Sequence, residues 1–172
     1  MHRAPWILLL AGCAAPSIPA PEAPRPRSSS TRPDPVLSAV ETSLARRDVA
    51  AARAALERGR WYADDRARAA LLLYGCLLLE GRTADAVAAL REYLEKTPLP
   101  SNSRDRIVTK LLRHHANGGS LAAKGPEEAC YFGLYAQKAL GEPATALPDL
   151  ELARREAPEP ERLLAKIALD GG

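Results

Sequence analysis

From residue 36 onward the sequence repeats a helical pattern. Alanine, leucine, arginine and glutamate recur at helical spacing, and the alternation of polar and apolar residues typical of strands is almost absent. Comparison of the chain with itself, at a shift of 34 residues and then of 60, aligns three sets of positions. These sets are Arg47, Gly81 and Gly141; Ala52, Ala86 and Ala146; and Leu56, Leu90 and Leu150. The sequence therefore predicts an all-α domain of related helix pairs.

Each aligned position has a mechanical role in such a pair. Glycine accepts the left-handed backbone of the turn between two helices without steric cost. Alanine allows two helices to approach closely, and Pro98 and Pro158 separate one unit from the next because proline cannot continue a helix. We expect units at about 33–66, 67–100 and 127–160, with an insertion at 101–126 between the second and the third.

A period of 34, a small residue in the second helix and a closing proline resemble the tetratricopeptide repeat. The resemblance implies a right-handed array of antiparallel helix pairs with a binding groove. The pattern is degenerate, because the usual large aromatic and the usual tyrosine of the first helix are replaced, by Val36, Ala70 and Cys130 and by Ser43, Leu77 and Gln137. Pro148 should also kink the last second helix or delay its start. A generic array of helical hairpins without repeat ancestry is the alternative.

The insertion predicts one helix, about Arg104 to His115, with an apolar stripe that includes Ile107 and Leu111. A loop follows at 117–120, and Pro126 begins the next helix. A last helix at 161–169 is expected to cover the open end of the array, because a terminal repeat would otherwise expose core residues.

The N-terminus carries a targeting signal. An apolar run from Trp6 follows a single arginine, Arg3, and ends in Leu10-Ala11-Gly12-Cys13. This run resembles the lipobox of bacterial lipoproteins, which implies a signal peptide at 1–12 and acylation of Cys13. Ala14 after the cysteine resembles lipoproteins sorted to the outer membrane. An ordinary cleaved signal peptide, or an accidental apolar start, is the alternative.

The N-terminal signal and the helical pattern together divide the chain into three predicted regions. These are the signal peptide 1–12, a lipidated tether 13–35, and the helical domain 36–172. The tether is rich in proline and serine and contains Ile18 as its one large apolar residue, so we expect it to be disordered. The helical domain carries 20 Lys and Arg against 19 Asp and Glu. This balance does not favour a nucleic-acid partner, which usually requires a marked basic excess.

The motifs of common catalytic sites are missing from the sequence, including the glycine-rich phosphate loop, HExxH and paired CxxC. We therefore predict no enzyme, no cofactor, no metal and no small-molecule substrate. His114 and His115 are adjacent and point about 100° apart on a helix, so they suit a helix C-terminus better than a shared metal. A cell-wall enzyme using Glu127 or Glu128 as general acid is a rival interpretation.

Two groups of residues are candidates for binding another protein. Arg106, Lys110 and Arg113 share one face of the insertion helix and could dock an acidic surface, although a solvated face is the simpler interpretation. Tyr131 and Tyr135 share one face of the next helix and could anchor an interface, although core packing is favoured.

Two cysteines, Cys76 and Cys130, remain once Cys13 is assigned to lipidation. Because both fall in first helices of their units, separated by the insertion, we favour two buried thiols over a disulfide.

Taken together, the sequence predicts a lipid-anchored protein of the bacterial outer membrane that faces the periplasm. Its expected function is that of an adaptor or scaffold that binds another envelope protein, in an assembly such as secretion, pilus, motility or barrel machinery. The alternatives are the cell-wall enzyme and a non-lipidated soluble adaptor.

Overall fold

The computed structural model describes residues 35–61, 63–97, 102–119 and 121–171, which belong to one compact unit spanning 33–172. The signal peptide 1–12, the acylation site Cys13, the tether as far as residue 34 and the unit boundary at Pro98 lie outside the described residues. Pro35, assigned to the tether from the sequence, is instead the first residue of a helix, a position that proline favours.

The described residues form eight α-helices and no strand, so the all-α prediction is confirmed. The helices are α1 (Pro35–Ala45), α2 (Val49–Arg58), α3 (Ala63–Leu79), α4 (Thr83–Glu95), α5 (Ser103–Asn117), α6 (Pro126–Leu134), α7 (Pro143–Glu156) and α8 (Glu161–Asp170). A π-helical turn, Tyr135–Ala139, extends α6. Consecutive helices pack against each other as pairs, α1 with α2, α3 with α4, and α6 with α7.

The three turns inside these pairs share one backbone conformation. Arg47, Gly81 and Gly141 have φ angles of 60°, 75° and 71°, in the left-handed region. This region favours glycine, which makes Arg47 the costly member of the set. The alignment of these positions from the sequence is confirmed. The aligned alanines, Ala52, Ala86 and Ala146, are all fully buried.

The π-helical turn changes the register of the third pair. In the second pair the Arg82 N–H donates to the Leu77 carbonyl, five residues earlier, at 2.9 Å. In the third pair the Glu142 N–H donates to the Ala136 carbonyl, six residues earlier, also at 2.9 Å. One extra residue is therefore accommodated in the π turn, and the alignment of Leu77 with Gln137 by a constant shift of 60 is wrong by one position.

The insertion folds as predicted, into a single helix, α5, whose apolar face is buried at Ile107 and Leu111. A reciprocal capping box begins this helix: the Asp105 N–H donates to Asn102 at 2.9 Å, and the Asn102 N–H donates to Asp105 at 3.0 Å. The predicted loop follows α5, and α6 begins at Pro126 as expected. The predicted helix and the predicted helix start at Pro126 are therefore present in the structure, and the insertion bounds 101–126 stay a prediction.

Two expectations for the C-terminal part need correction. Helix α7 runs without interruption from Pro143 to Glu156, so Pro148 does not delay its start. Helix α8 does not simply cover an open end, because it packs against α7, α6, α3 and α1. The last helix thus joins the first pair to the last, and the buried aromatic side chains of α3 and α6 lie in the core between them. These include Tyr74, Tyr131, Phe132 and Tyr135.

Candidate functional site

The basic face predicted on the insertion helix α5 is only partly available to a partner. Arg106 and Arg113 are exposed. Lys110 instead donates to Glu128 of α6 at 2.9 Å, and its ammonium lies 5.5 Å from the centre of the Phe132 ring. The lysine therefore fastens α5 to α6, and two separated arginines remain on the surface.

Tyr131 and Tyr135, the predicted interface anchors, lie in the core. Their exposed fractions are 0% and 1%. The Tyr131 hydroxyl donates to Glu161 at 3.2 Å, and the Tyr135 hydroxyl donates to the His114 carbonyl at 3.0 Å. Core packing, the alternative favoured from the sequence, describes both residues, and neither offers surface to a partner.

A buried ion pair joins α3 to α8. Glu161 is fully buried, and its carboxylate accepts hydrogen bonds from Arg68 Nε at 3.0 Å and from the Arg68 terminal nitrogen at 2.9 Å. This hydrogen bonding outweighs burial and raises the pKa of the Arg68 guanidinium. Burial and the adjacent Glu161 charge raise the pKa of Tyr131 well above its usual value. The Glu161 carboxylate therefore joins α3 and α6 to α8 through its hydrogen bonds with Arg68 and Tyr131.

Glu127 and Glu128, proposed as general acids in the rival interpretation, are both engaged in ion pairs. Glu127 contacts Arg104 at 2.5 Å, and Glu128 contacts Lys110 at 2.9 Å while accepting the Lys124 N–H at 2.8 Å. A general acid needs an apolar setting that favours the protonated carboxyl. Both carboxylates are instead held in ion pairs, and the arrangement gives no support to the enzyme interpretation.

The two histidines at the end of α5 have different surroundings. His115 Nε2 lies 2.8 Å from the Tyr74 hydroxyl, and its ring packs edge-on against Tyr74 and Tyr135. Burial, with a smaller contribution from the Arg91 charge, lowers the pKa of His115. His114 Nδ1 is buried without a hydrogen-bond partner. Among the described residues, no three His, Cys, Asp or Glu side chains converge in a way that could hold a metal.

Cys76 and Cys130 are buried free thiols, as favoured from the sequence. Burial raises the pKa of Cys76 to about 12 and that of Cys130 well above its usual value. The Cys130 thiol donates to the Glu161 carbonyl at 3.2 Å. Since the thiolate is the reactive form, neither group is set up for chemistry.

An open depression lies above α3, and we call it the α3 groove. Its volume is about 670 Å³. The end of α2 and the segment after it form one wall, and the C-terminal half of α4 forms the other. Side chains of α3 line the bottom, and the main contributors are Ala69, Ala70 and Leu73 from α3, Trp61 from the connecting segment, and Ala89 and Tyr93 from α4.

Trp61 is held in place over the end of α2. Its indole N–H donates to the Leu56 carbonyl at 3.2 Å, and the Gly59 N–H donates to the same oxygen at 3.3 Å. A Cβ at Gly59 would lie 2.9 Å from the indole ring, so glycine is required for this close approach. The Arg66 side chain donates to the Trp61 carbonyl at 3.4 Å. The aromatic wall of the groove is therefore positioned by the protein itself.

On the opposite wall, Tyr93 is held by the insertion. Its hydroxyl donates to the buried carboxylate of Asp105, the residue that also caps α5. Burial and this hydrogen bond raise the pKa of Tyr93 to about 12, and the Arg66 charge opposes that rise. The first turn of α5, which belongs to the insertion, therefore helps to position the Tyr93 side of the groove.

A second, smaller depression of about 310 Å³ adjoins the π-helical turn. Gln137, Leu147, Leu150 and Leu169 are among its lining residues, and Leu147 is 51% exposed. The Gln137 amide donates to the Ala168 carbonyl at 3.2 Å, while its oxygen is buried without a hydrogen-bond partner. This depression is mostly apolar and half the volume of the α3 groove.

Sequence reasoning missed the α3 groove, since it singled out neither Trp61 nor Tyr93 nor the charged residues Arg60 and Arg66. One signal was available. Trp61 is the single tryptophan of the helical domain 36–172 and follows Gly59 near the predicted end of the first unit. Aromatic residues at such junctions are candidates for interface anchors.

Comparison with known proteins found no family model that matches this chain, and no curated protein or solved structure with significant similarity. Within the described ranges, no helix has the length and apolar character needed to cross a membrane. The class that the fold defines is an all-helical domain with sequential helix-pair packing.

Proposed function

We propose that this protein is a lipid-anchored adaptor of the bacterial envelope that binds a peptide segment of another protein in the α3 groove. The observation that carries the proposal is the groove itself. It is open, has a partly exposed apolar floor at Ala70 and Leu73, and has an aromatic wall at Trp61. Large aromatic side chains beside apolar depressions dominate the energetics of many interfaces.

The order of the helices is consistent with a binding role. Helix α3 is covered by α2 on one side and by α4 on the other, and the groove forms where these neighbours diverge. Stacked helix pairs create such grooves without any catalytic machinery. The finer assignment of the pairs to a right-handed, tetratricopeptide-like array is part of this proposal. The shared turn conformation of Arg47, Gly81 and Gly141 supports it.

The position of the groove in the cell follows from the N-terminal signal. We propose that acylated Cys13 anchors the protein in the outer membrane and that residues 14–34 connect the anchor to the helical domain in the periplasm. The run Leu10-Ala11-Gly12-Cys13 supports the anchor. Two or three acyl chains hold a protein on a bilayer, because each buried methylene contributes about 0.8 kcal/mol.

Mass spectrometry of the protein isolated from its host tests the anchor. The expected N-terminal peptide begins at Cys13 and carries two or three acyl chains. A Cys13→Ser variant should lose the acyl mass and leave the membrane fraction. A mature protein that begins elsewhere without acyl chains would contradict the anchor and favour the soluble adaptor.

Site-specific photocrosslinking in intact cells tests the groove. A photoreactive amino acid replaces Ala70 on the groove floor or, as a control, Arg155 on the exposed face of α7. The proposal expects one defined protein adduct from position 70 and none from position 155. The adduct should decrease when an Ala89→Glu change places a bulky charge in the wall. Equal adducts from both positions would contradict a groove-specific partner.

A further inference from the structure

The charges around the α3 groove are unevenly compensated. Five charged residues line it, and two of its carboxylates already have cationic partners. Glu57 accepts from Arg53 at 2.8 Å, and Glu92 accepts from Lys96 at 2.5 Å. Pairing therefore neutralises the acidic side chains of the groove.

Two cations are left over. Arg60 and Arg66 both line the groove and are exposed, and neither guanidinium contacts a carboxylate of the described residues. Arg66 lies beside the aromatic wall, since its side chain donates to the Trp61 carbonyl at 3.4 Å. The two arginines thus form an uncompensated positive rim beside an apolar floor.

One carbonyl at the end of α2 is already engaged by groups of the protein. The Leu56 carbonyl, at the end of α2, already accepts the Gly59 N–H and the Trp61 indole N–H. A guanidinium presents several N–H donors in a planar fork that matches a carboxylate. The Arg60 and Arg66 guanidinium groups therefore favour an anionic acceptor from the ligand.

We infer that the α3 groove recognises a peptide segment in which a leucine or phenylalanine is flanked by glutamate or aspartate. The apolar side chain lies on Ala70 and Leu73 against Trp61, and the acidic residues contact Arg60 and Arg66. The inference rests on the proposed groove function and names the chemistry of its partner. Buried apolar area supplies affinity in such an arrangement, while the charges supply the choice of partner.

Three synthetic peptides of equal length test this preference. Each contains one central phenylalanine, flanked by two glutamates, two glutamines or two lysines. Binding is measured by fluorescence of Trp61 in the full chain with the change Trp6→Phe, so that Trp61 is the single tryptophan whether or not residues 1–12 have been removed. We expect the glutamate peptide to bind about fivefold to tenfold tighter than the glutamine peptide, as two exposed charge pairs allow. The lysine peptide should bind most weakly, and added salt should reduce the differences.

Variants of the protein assign the preference to the rim. Arg60→Gln with Arg66→Gln should make the glutamate and glutamine peptides bind equally. The single change Arg60→Gln, which leaves the contact between Arg66 and the Trp61 carbonyl in place, should remove part of the preference. The matched control is Arg58→Gln, since Arg58 is exposed on α2 but does not line the groove. Far-UV circular dichroism of each variant establishes that the helices are intact.

The outcomes separate this inference from the proposed function. Equal binding of all three peptides, or a preference unchanged in the double variant, would overturn the inference and leave the groove as a binding site. Failure of every peptide to bind at millimolar concentration would overturn the inference. If, in addition, the photoreactive residue at position 70 gave no crosslink in cells, the proposed function of the groove as a peptide-binding site would also be contradicted.

Discussion

The Arg68–Glu161 pair gives the sharpest test of what holds the fold together. Glu161→Gln keeps the shape of the side chain and removes its charge. The carboxylate is fully buried and accepts two hydrogen bonds from Arg68 and one from Tyr131. After the change, the Arg68 guanidinium would remain in the interior without a counter-ion, and at least one donor would lose its acceptor.

Breaking a buried ion pair from one side costs about 3–5 kcal/mol. The Arg68 side chain is 17% exposed and can regain some hydration, so we expect a loss near the lower limit, about 3 kcal/mol. This is a large part of the ~5–15 kcal/mol that stabilises a typical domain. It corresponds to a fall in Tm of roughly 10 °C for a domain of this size.

Urea unfolding followed by far-UV circular dichroism measures the free energy of unfolding. The control is Glu151→Gln, which breaks an exposed pair with Arg154 on α7 and should cost less than about 1 kcal/mol. A triple change, Arg68→Met, Glu161→Leu and Tyr131→Phe, should recover most of the loss, because neither an unpaired charge nor the Tyr131 hydroxyl without its acceptor remains. If Glu161→Gln cost no more than the control, the pair would not fasten α3 to α8 and the reasoning would be wrong.

Three further predictions concern other parts of the fold. Arg47→Gly should raise the free energy of unfolding by at most about 1 kcal/mol, because it relieves a left-handed backbone at φ 60° and loses only an exposed ion pair with Asp170; urea titration measures this, and a loss of stability would contradict it. Gly133→Ala should lower Tm by an amount corresponding to about 1–3 kcal/mol, since its Cβ would lie 2.7 Å from Leu150; an unchanged Tm would show that α6 and α7 can separate freely. Because burial lowers the pKa of His115 from 6.5, the unfolded state protonates first, so stability should fall as pH falls below about 6.5; a His115→Gln variant should lose part of that dependence, and an identical pH profile would refute the assignment.

Sequence periodicity predicted much of the helical framework correctly. The turn positions Arg47, Gly81 and Gly141, the helix α5 and the start of α6 at Pro126 all follow from local signals. Left-handed turns, caps and helix starts depend on interactions within a few residues, which the chain order records directly. Local chemistry was therefore enough to find these elements.

The candidate site was less accessible to the same reasoning. Lys110 resembled a free surface cation, yet it contacts Glu128, and Tyr131 and Tyr135 resembled interface anchors, yet they are buried. The extra residue of the π turn at Gln137 was also invisible to a constant shift. Each outcome depends on which helix packs against which face, and periodicity does not specify that.

What the sequence alone determined is the helical class of the domain, its division into pairs and an insertion, and the conformation of the turns, since all of these follow from local preferences. The tertiary structure decided the rest. Packing of α8 against α1 and α3 buried Glu161 beside Arg68, and the arrangement of α2, α3 and α4 opened the groove between Trp61 and Tyr93. Burial and pairing are properties of side chains brought together from distant positions, so only the folded chain reveals them.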